Sequence, residues 1–329
     1  MGKKKARAKW ESYFREYEKF LKEVRQEILD SYPKESDSLL APIADSIEFY
    51  SREEKEWQQT PHSLVLILKN YLWKLTNWIS YEILHGKYFE AMRDTRFLFE
   101  GSIWGMILED AIEKVIYQKE KVLSKINLKL EIMELWETAK QKKIYKIKEL
   151  EKRKEKAKKI VKEYFQQLAK QKRLRSISNL EKEKYIENYS LILADERLGF
   201  SIRALIDKEI RSFLEPLNEK EKEKFKKVWV SLCKYAHFPG NFFHKLVNEA
   251  PQLIFVEAFN KNLFQECVNN YLITLDLFYS VALWRWPSEK AIKRLKEIDN
   301  FWRKNLNHIY NRYFTLFPKM IKLYEKNCK

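Results

Sequence analysis

Two arginines and a glutamate, Arg93, Arg96 and Glu100, stand at helical spacing inside residues 88–117, YFEAMRDTRFLFEGSIWGMILEDAIEKVIY, a stretch that is apolar on nearly every side. On a helical wheel the three fall within a sector of about 60°, in line with Ile103, Trp104, Ile107 and Ala111. An unpaired ion on such a face would cost on the order of several kcal/mol, so these charges must have partners. Arg96 and Glu100 are four residues apart and can pair. Arg93 then needs a carboxylate, a phosphate or a capping carbonyl, with Asp110 and Asp276 as available acids. The cluster is either a structural ion-pair network or an internal polar site that binds an anion or assists acid–base chemistry.

A second group surrounds the turn at Pro239: Ser231, Lys234, His237 and His244. Lys234 and His237 are three apart on a helix, with a hydroxyl nearby, a set suited to phosphate or proton transfer. His237 at a helix C-terminus also fits a capping role toward the last carbonyls. His237, His244 and Cys233 do not match zinc spacing, so no metal is expected.

The third string is Arg303-Lys304-Asn305-Leu306-Asn307-His308. This arginine and histidine five residues apart resemble the motif of HEPN-type ribonucleases. The resemblance implies an all-α fold, a homodimer, and metal-independent RNA cleavage with Arg303 and His308 at the active site. That family places its motif near a helix start. Here the periodicity puts it in mid-helix, where residues five apart point about 140° from each other. The strings AMRDTRFLFEGSIWGMILED and VSLCKYAHFPG also look similar to a group of uncharacterised archaeal helical proteins, which gathers Arg96, Glu100 and His237 into one site. The candidate catalytic residues are therefore His237, Arg96, Glu100, Arg303 and His308.

Charge supplies the fourth feature. Residues 3–9 hold five Lys/Arg and no acid, and residues 140–175 hold sixteen Lys/Arg against four Glu. These two segments carry the whole net charge of +17, so the rest of the chain is neutral. A basic helix of this kind neutralises phosphates. The candidate contacts are Lys142, Lys143, Lys146, Lys152, Arg153, Lys156, Lys159, Arg173 and Arg175. Tyr145, Tyr164 and Phe165 lie among them. No helix-turn-helix, zinc-finger or RNA-binding fingerprint appears, so base-specific reading is not suggested. No P-loop, GxGxxG, HExxH, G-x-S-x-G or EF-hand string is present either, and with only six glycines a nucleotide-driven enzyme is disfavoured.

The elements that must position these residues are helices. Glycine and proline are scarce, which argues for an all-α fold. Residues 6–31 repeat Trp10, Phe14, Tyr17, Leu21, Val24 and Ile28 at threes and fours, and Pro33 should end that helix. A helix over 36–57 follows, then one over 62–84 stopped by His85-Gly86. Residues 88–117 read as the central helix of the core. Thr95, Ser102, Glu109 and Glu113 form its solvent strip, and Gly101 and Gly105 leave a flat face for a close neighbour. A heptad frame with Ile147, Lys154, Val161 and Leu168 at a, and Leu150, Ala157 and Tyr164 at d, predicts a long basic arm projecting from the body. Asn218 should cap a helix over 219–237. Residues 252–286 are nearly continuous and apolar, but the Tyr271–Trp286 core holds Asp276 and is too short for a membrane span. One amphipathic helix should run over 288–326.

The expected architecture is thus a multi-helix body, 1–125 and 180–329, with a basic coiled-coil-like arm, 126–179. The sparse cysteines, Cys233, Cys267 and Cys328, suit reduced thiols and a cytoplasmic setting. The start, MGKKKARAKW, reads as charged helix rather than a leader. High Lys, Glu, Ile and Tyr suit a thermophile or archaeon. The functional expectation is a nucleic-acid-associated helical protein, RNA rather than DNA, of HEPN-like ribonuclease or defence type, with no cofactor. One alternative is a non-catalytic scaffold that oligomerises or binds a partner through the arm. Another is a peripheral binder of anionic membrane through the N-terminal tail and arm, without integral membrane association.

Overall fold

A computed structural model describes residues 2–57, 64–116, 128–170, 178–206, 217–236, 259–285 and 289–327. Among these there is no strand, and the fold class is all-α. The described helices are α1 (Gly2–Ser31), α2 (Pro33–Trp57), α3 (Leu64–Leu84), α4 (Tyr88–Ile116), α5 (Leu128–Gln141), α6 (Leu150–Lys170), α7 (Asn179–Leu193), α8 (Ile202–Ala204), α9 (Glu219–Ala236), α10 (Lys261–Arg285), α11 (Glu289–Asn305), α12 (Asn307–Tyr313) and α13 (Leu316–Asn327). Short 3-10 turns occupy Ile144–Lys146 and Glu196–Gly199. No described helix is long and apolar enough to cross a membrane.

The chain divides into two compact units. One comprises Met1–Glu54, Lys69–Ser102 and Phe213–Lys329, and the other Lys55–Leu68 and Ile103–Ser212. The boundary falls inside α4, so α4 is not the axis of a single core. In the first unit that role belongs to α10, whose residues 270–283 are all buried. It packs on α9, α11, α12 and α13. Each large apolar side chain fully buried there stabilises by about 1.5–3 kcal/mol. Trp73 of α3 meets the Phe278 and Tyr279 rings at centroid distances of 4.8 and 5.3 Å. Thr95 and Ser102, expected at the surface, are buried, while Phe97 is half exposed. The reason is local: a helix apolar on most sides has a weak preferred face, and the Ser102 hydroxyl donates to Leu98 O at 2.7 Å, which makes its burial cheap.

Several termini follow local rules. Gly86, at φ 73°, closes α3, with Lys87 N donating to Glu82 O at 2.8 Å. Asn218 and Glu221 exchange side-chain and backbone bonds of 2.9 Å, a capping box for α9. Pro33 begins α2 at a position where its missing N–H costs nothing. A Cβ on Gly101 would meet Leu72 Cδ2 at 2.8 Å, so the flat face does admit a close neighbour.

One break has a local signal, Pro318 in the first turn after it, and a nonlocal cap. The amphipathic pattern over 288–326 reads as one helix, yet the structure splits it into α11, α12 and α13. Asp276, wholly buried on α10, accepts the backbone N–H groups of Thr315, Leu316 and Phe317 at 2.9, 2.9 and 2.7 Å. A carboxylate from another element thus supplies the N-terminal cap of α13.

In the second unit α6 packs along α7 and α5. Phe165 stacks with Tyr185 and Tyr189 at 6.4 and 5.8 Å between centroids. The expected arm over 126–179 is therefore an integral part of this unit. The lysine-rich stretch forms two helices, α5 and α6, parted at Lys143, which takes a left-handed φ of 55°.

Candidate functional site

Arg96 and Glu100, in the first unit, form an ion pair of 2.8 Å. The Arg96 guanidinium lies 5.1 Å from the Trp229 ring centroid on α9, and Trp229 stacks on Phe99. Burial pushes the Cys233 thiol upward, with Arg96 and Glu100 the charges acting on it. Arg93 departs from the expected cluster. It is largely exposed and pairs with Asp94 at 3.0 Å. Its proposed partners are engaged elsewhere: Asp276 caps α13, and Asp110 binds Arg197 and Lys114 at 2.5 and 3.0 Å.

On α9, the helix that carries Trp229, lies a network that spacing did not reveal. Ser231 donates to Glu266 Oε1 at 2.8 Å, and Tyr235 donates to Glu266 Oε2 at 2.7 Å. Asn270 Nδ2 donates to Ser231 Oγ at 2.9 Å. The carboxylate holds two hydroxyls and ties α9 to α10. Among the described residues no imidazole joins this network, and the Ser231 hydroxyl donates directly to the Glu266 carboxylate. Lys234 is exposed. His237 and His244 lie outside the described residues.

Arg303 pairs with Asp299 Oδ2 at 2.7 Å and lies 5.1 Å from the Tyr310 ring centroid, while Tyr310 donates to Asp299 Oδ1. Burial first, and then the bond to Asp299, push the Tyr310 phenol far above its usual value. The helix break at Leu306 makes His308 the second residue of α12, where it is exposed. No hydrogen bond joins His308 to Arg303.

The basic segment is the most legible surface. α6 buries Arg153, Ala157, Ile160, Val161, Phe165 and Leu168 on one side. Lys152, Lys156 and Lys159 are exposed on the other, within a sector of about 60°. Lys142, Lys143 and Lys146 are exposed too, with Lys142 bonded to Glu163 at 2.5 Å. Exposed Lys148, Lys158 and Lys162 extend the surface beyond the residues singled out from sequence. Arg173 and Arg175 lie outside the described residues.

Arg153 is the exception. It is 3% exposed and donates to the carbonyls of Ile147, Lys148 and Ala194 at 3.1, 3.1 and 3.3 Å. Its guanidinium satisfies the chain before α6 and the C-terminal end of α7, so it is not a phosphate contact. A Lys/Arg run gave no signal to separate this inward residue from its neighbours; the apolar partners at 157, 160 and 161 did.

One acid outside every expected group is perturbed. Glu82 is raised to about 8, first by burial and then by the Asp94 and Glu90 carboxylates, against Arg93 and Lys87. Its Oε2 is buried and has no hydrogen-bond partner. Among the described residues no group of His, Cys, Asp and Glu is placed to hold a metal ion.

No protein-family model, curated protein or solved structure matches this chain.

Proposed function

We propose that the chain binds RNA without sequence preference through the exposed lysine face of α6 and the turn before it. The observation that carries this reading is the two-sidedness of α6: an apolar stripe and Arg153 turned inward, Lys152, Lys156 and Lys159 turned out. Cations on one helical face track a phosphate backbone, and their affinity comes from counterion release. Titration of a labelled single-stranded RNA and a duplex DNA over a salt series tests it. Absence of binding to either at about 50 mM salt would refute the proposal, since that term is strongest at low ionic strength.

The finer reading is metal-independent RNA cleavage at Arg303 and His308. Its support is the break at Leu306, which brings His308 to a helix start, as in the HEPN pattern. With EDTA present, cleavage should persist in the unaltered chain and disappear in Arg303→Ala and His308→Ala. Cleavage retained in both would remove this assignment and leave binding standing. The scaffold alternative is less well supported, because the heptad residues Ala157, Val161 and Leu168 are already buried in α6, which packs on α7 of the same chain.

A further inference from the structure

We infer that the first five turns of α1 form a docking helix for an anionic lipid surface. The sequence of α1 repeats its aromatic and aliphatic residues at threes and fours from Trp10 to Ile28, which describes one continuous stripe. The structure treats the stripe in two ways. Leu21, Val24 and Ile28 are buried at 6%, 4% and 0%. Every residue over 11–19 is exposed, with Phe14 at 66% and Tyr13 at 52%. α1 begins at Gly2, so the helix before Leu21 is about 28 Å long at 1.5 Å per residue. Its last turns present an apolar edge to solvent.

The occupant is indicated by what precedes that edge. Residues 3–9 hold five Lys/Arg and no acid. A basic segment continuous with an aromatic-edged amphipathic helix combines the two forces that hold a helix in the plane of a bilayer: attraction to anionic headgroups and burial of apolar side chains at the acyl boundary. Single-stranded RNA also stacks on exposed aromatics, so RNA binding that is lost in Phe14→Ser, with no binding to anionic vesicles, would overturn the proposal. Lysines of α6 are also exposed, but apart from Leu150 α6 turns its apolar stripe inward, whereas α1 leaves Tyr13 and Phe14 exposed after its basic start.

Vesicle co-sedimentation of the full chain tests this. Vesicles of phosphatidylcholine with about 30% phosphatidylserine should pellet the protein, and pure phosphatidylcholine vesicles should not. Each cation near such a surface contributes about fivefold in affinity, so K3Q/K4Q/K5Q/R7Q/K9Q together should abolish binding. Phe14→Ser should weaken it about tenfold or more while leaving the thermal unfolding midpoint unchanged, because Phe14 is exposed. Lys152→Glu with Lys156→Glu and Lys159→Glu should leave vesicle binding intact while removing RNA binding, which separates this proposal from the previous one. Equal binding to neutral and anionic vesicles, no binding to anionic vesicles at low salt, full binding by Phe14→Ser, or an α1-dependent dimer by light scattering in place of lipid binding would each overturn it.

Discussion

Replacing Lys152, Lys156 and Lys159 by glutamine tests the α6 surface most directly. The three are exposed on one face, and the seven steps from Lys152 to Lys159 cover about 10.5 Å along the helix axis. Lys156 and Lys159 make no ion pair among the described residues. Lys152 pairs with Glu149 at 3.0 Å, but both side chains are about two-thirds exposed, so that pair is worth no more than about 0.5 kcal/mol and yields to a phosphate. Each phosphate neutralised on a single strand contributes about −0.7 to the slope of log affinity against log salt. Three lost contacts should flatten the slope by about 2. Over a tenfold rise in salt, the unaltered protein then loses about a hundredfold more affinity than the variant. Fluorescence anisotropy of a labelled single-stranded RNA across a potassium chloride series reads the slope, and the unfolding midpoint should not move, since the buried stripe is untouched. An unchanged slope in a folded variant refutes the assignment of these lysines as phosphate contacts.

Asp276→Ala strips the cap from α13 and leaves two buried N–H groups and one part-buried one without an acceptor, so it should cost about 3–5 kcal/mol in urea unfolding; a loss under 1 kcal/mol would contradict the capping role. Arg153→Met keeps the aliphatic packing but frees the carbonyls of Ile147, Lys148 and Ala194, and should destabilise by about 2–4 kcal/mol without lowering RNA affinity more than twofold. Glu82, held near 8 against an ordinary 4.5, contributes stability that is complete below about pH 4.5 and is lost as pH rises through about 8. The full shift has a ceiling of about 5 kcal/mol, and partial solvation reduces the expected loss to about 2 kcal/mol. Unfolding curves at pH 4.5 and pH 9 should show that loss, and Glu82→Gln should remove it.

Part of this was legible without coordinates. Gly86 ending α3, Asn218 starting α9 and the close approach at Gly101 are rules of backbone geometry within a turn or two of the residue concerned. Of the heptad positions in α6, Ala157, Val161 and Leu168 are buried, but Leu150 is half exposed, and the inward Arg153, Ile160 and Phe165 stand outside that frame. The candidate site was less legible. Arg96 and Glu100 pair as four-residue spacing requires, but Glu266 was invisible as the acceptor for Ser231 and Tyr235, because it lies on a different helix more than thirty positions away. Arg93 was drawn inward by its apolar neighbours, yet its side chain reaches Asp94 and solvent.

What the amino-acid order determined by itself is the all-α class, the main helix ends, and the confinement of net charge to 3–9 and 140–175, since each depends on interactions a few residues apart or on composition alone. What only tertiary structure decided is where continuous patterns stop. In the stripe over 288–326, Pro318 marks a helix start locally, and only the tertiary structure shows that Asp276 caps that start by offering a buried carboxylate to the N–H groups of residues 315–317. The stripe of α1 runs without interruption from Trp10 to Ile28, and only the packed body determines that it is covered from Leu21 onward. Periodicity fixes which residues share a face; whether another element meets that face is set by contacts between residues far apart in the chain.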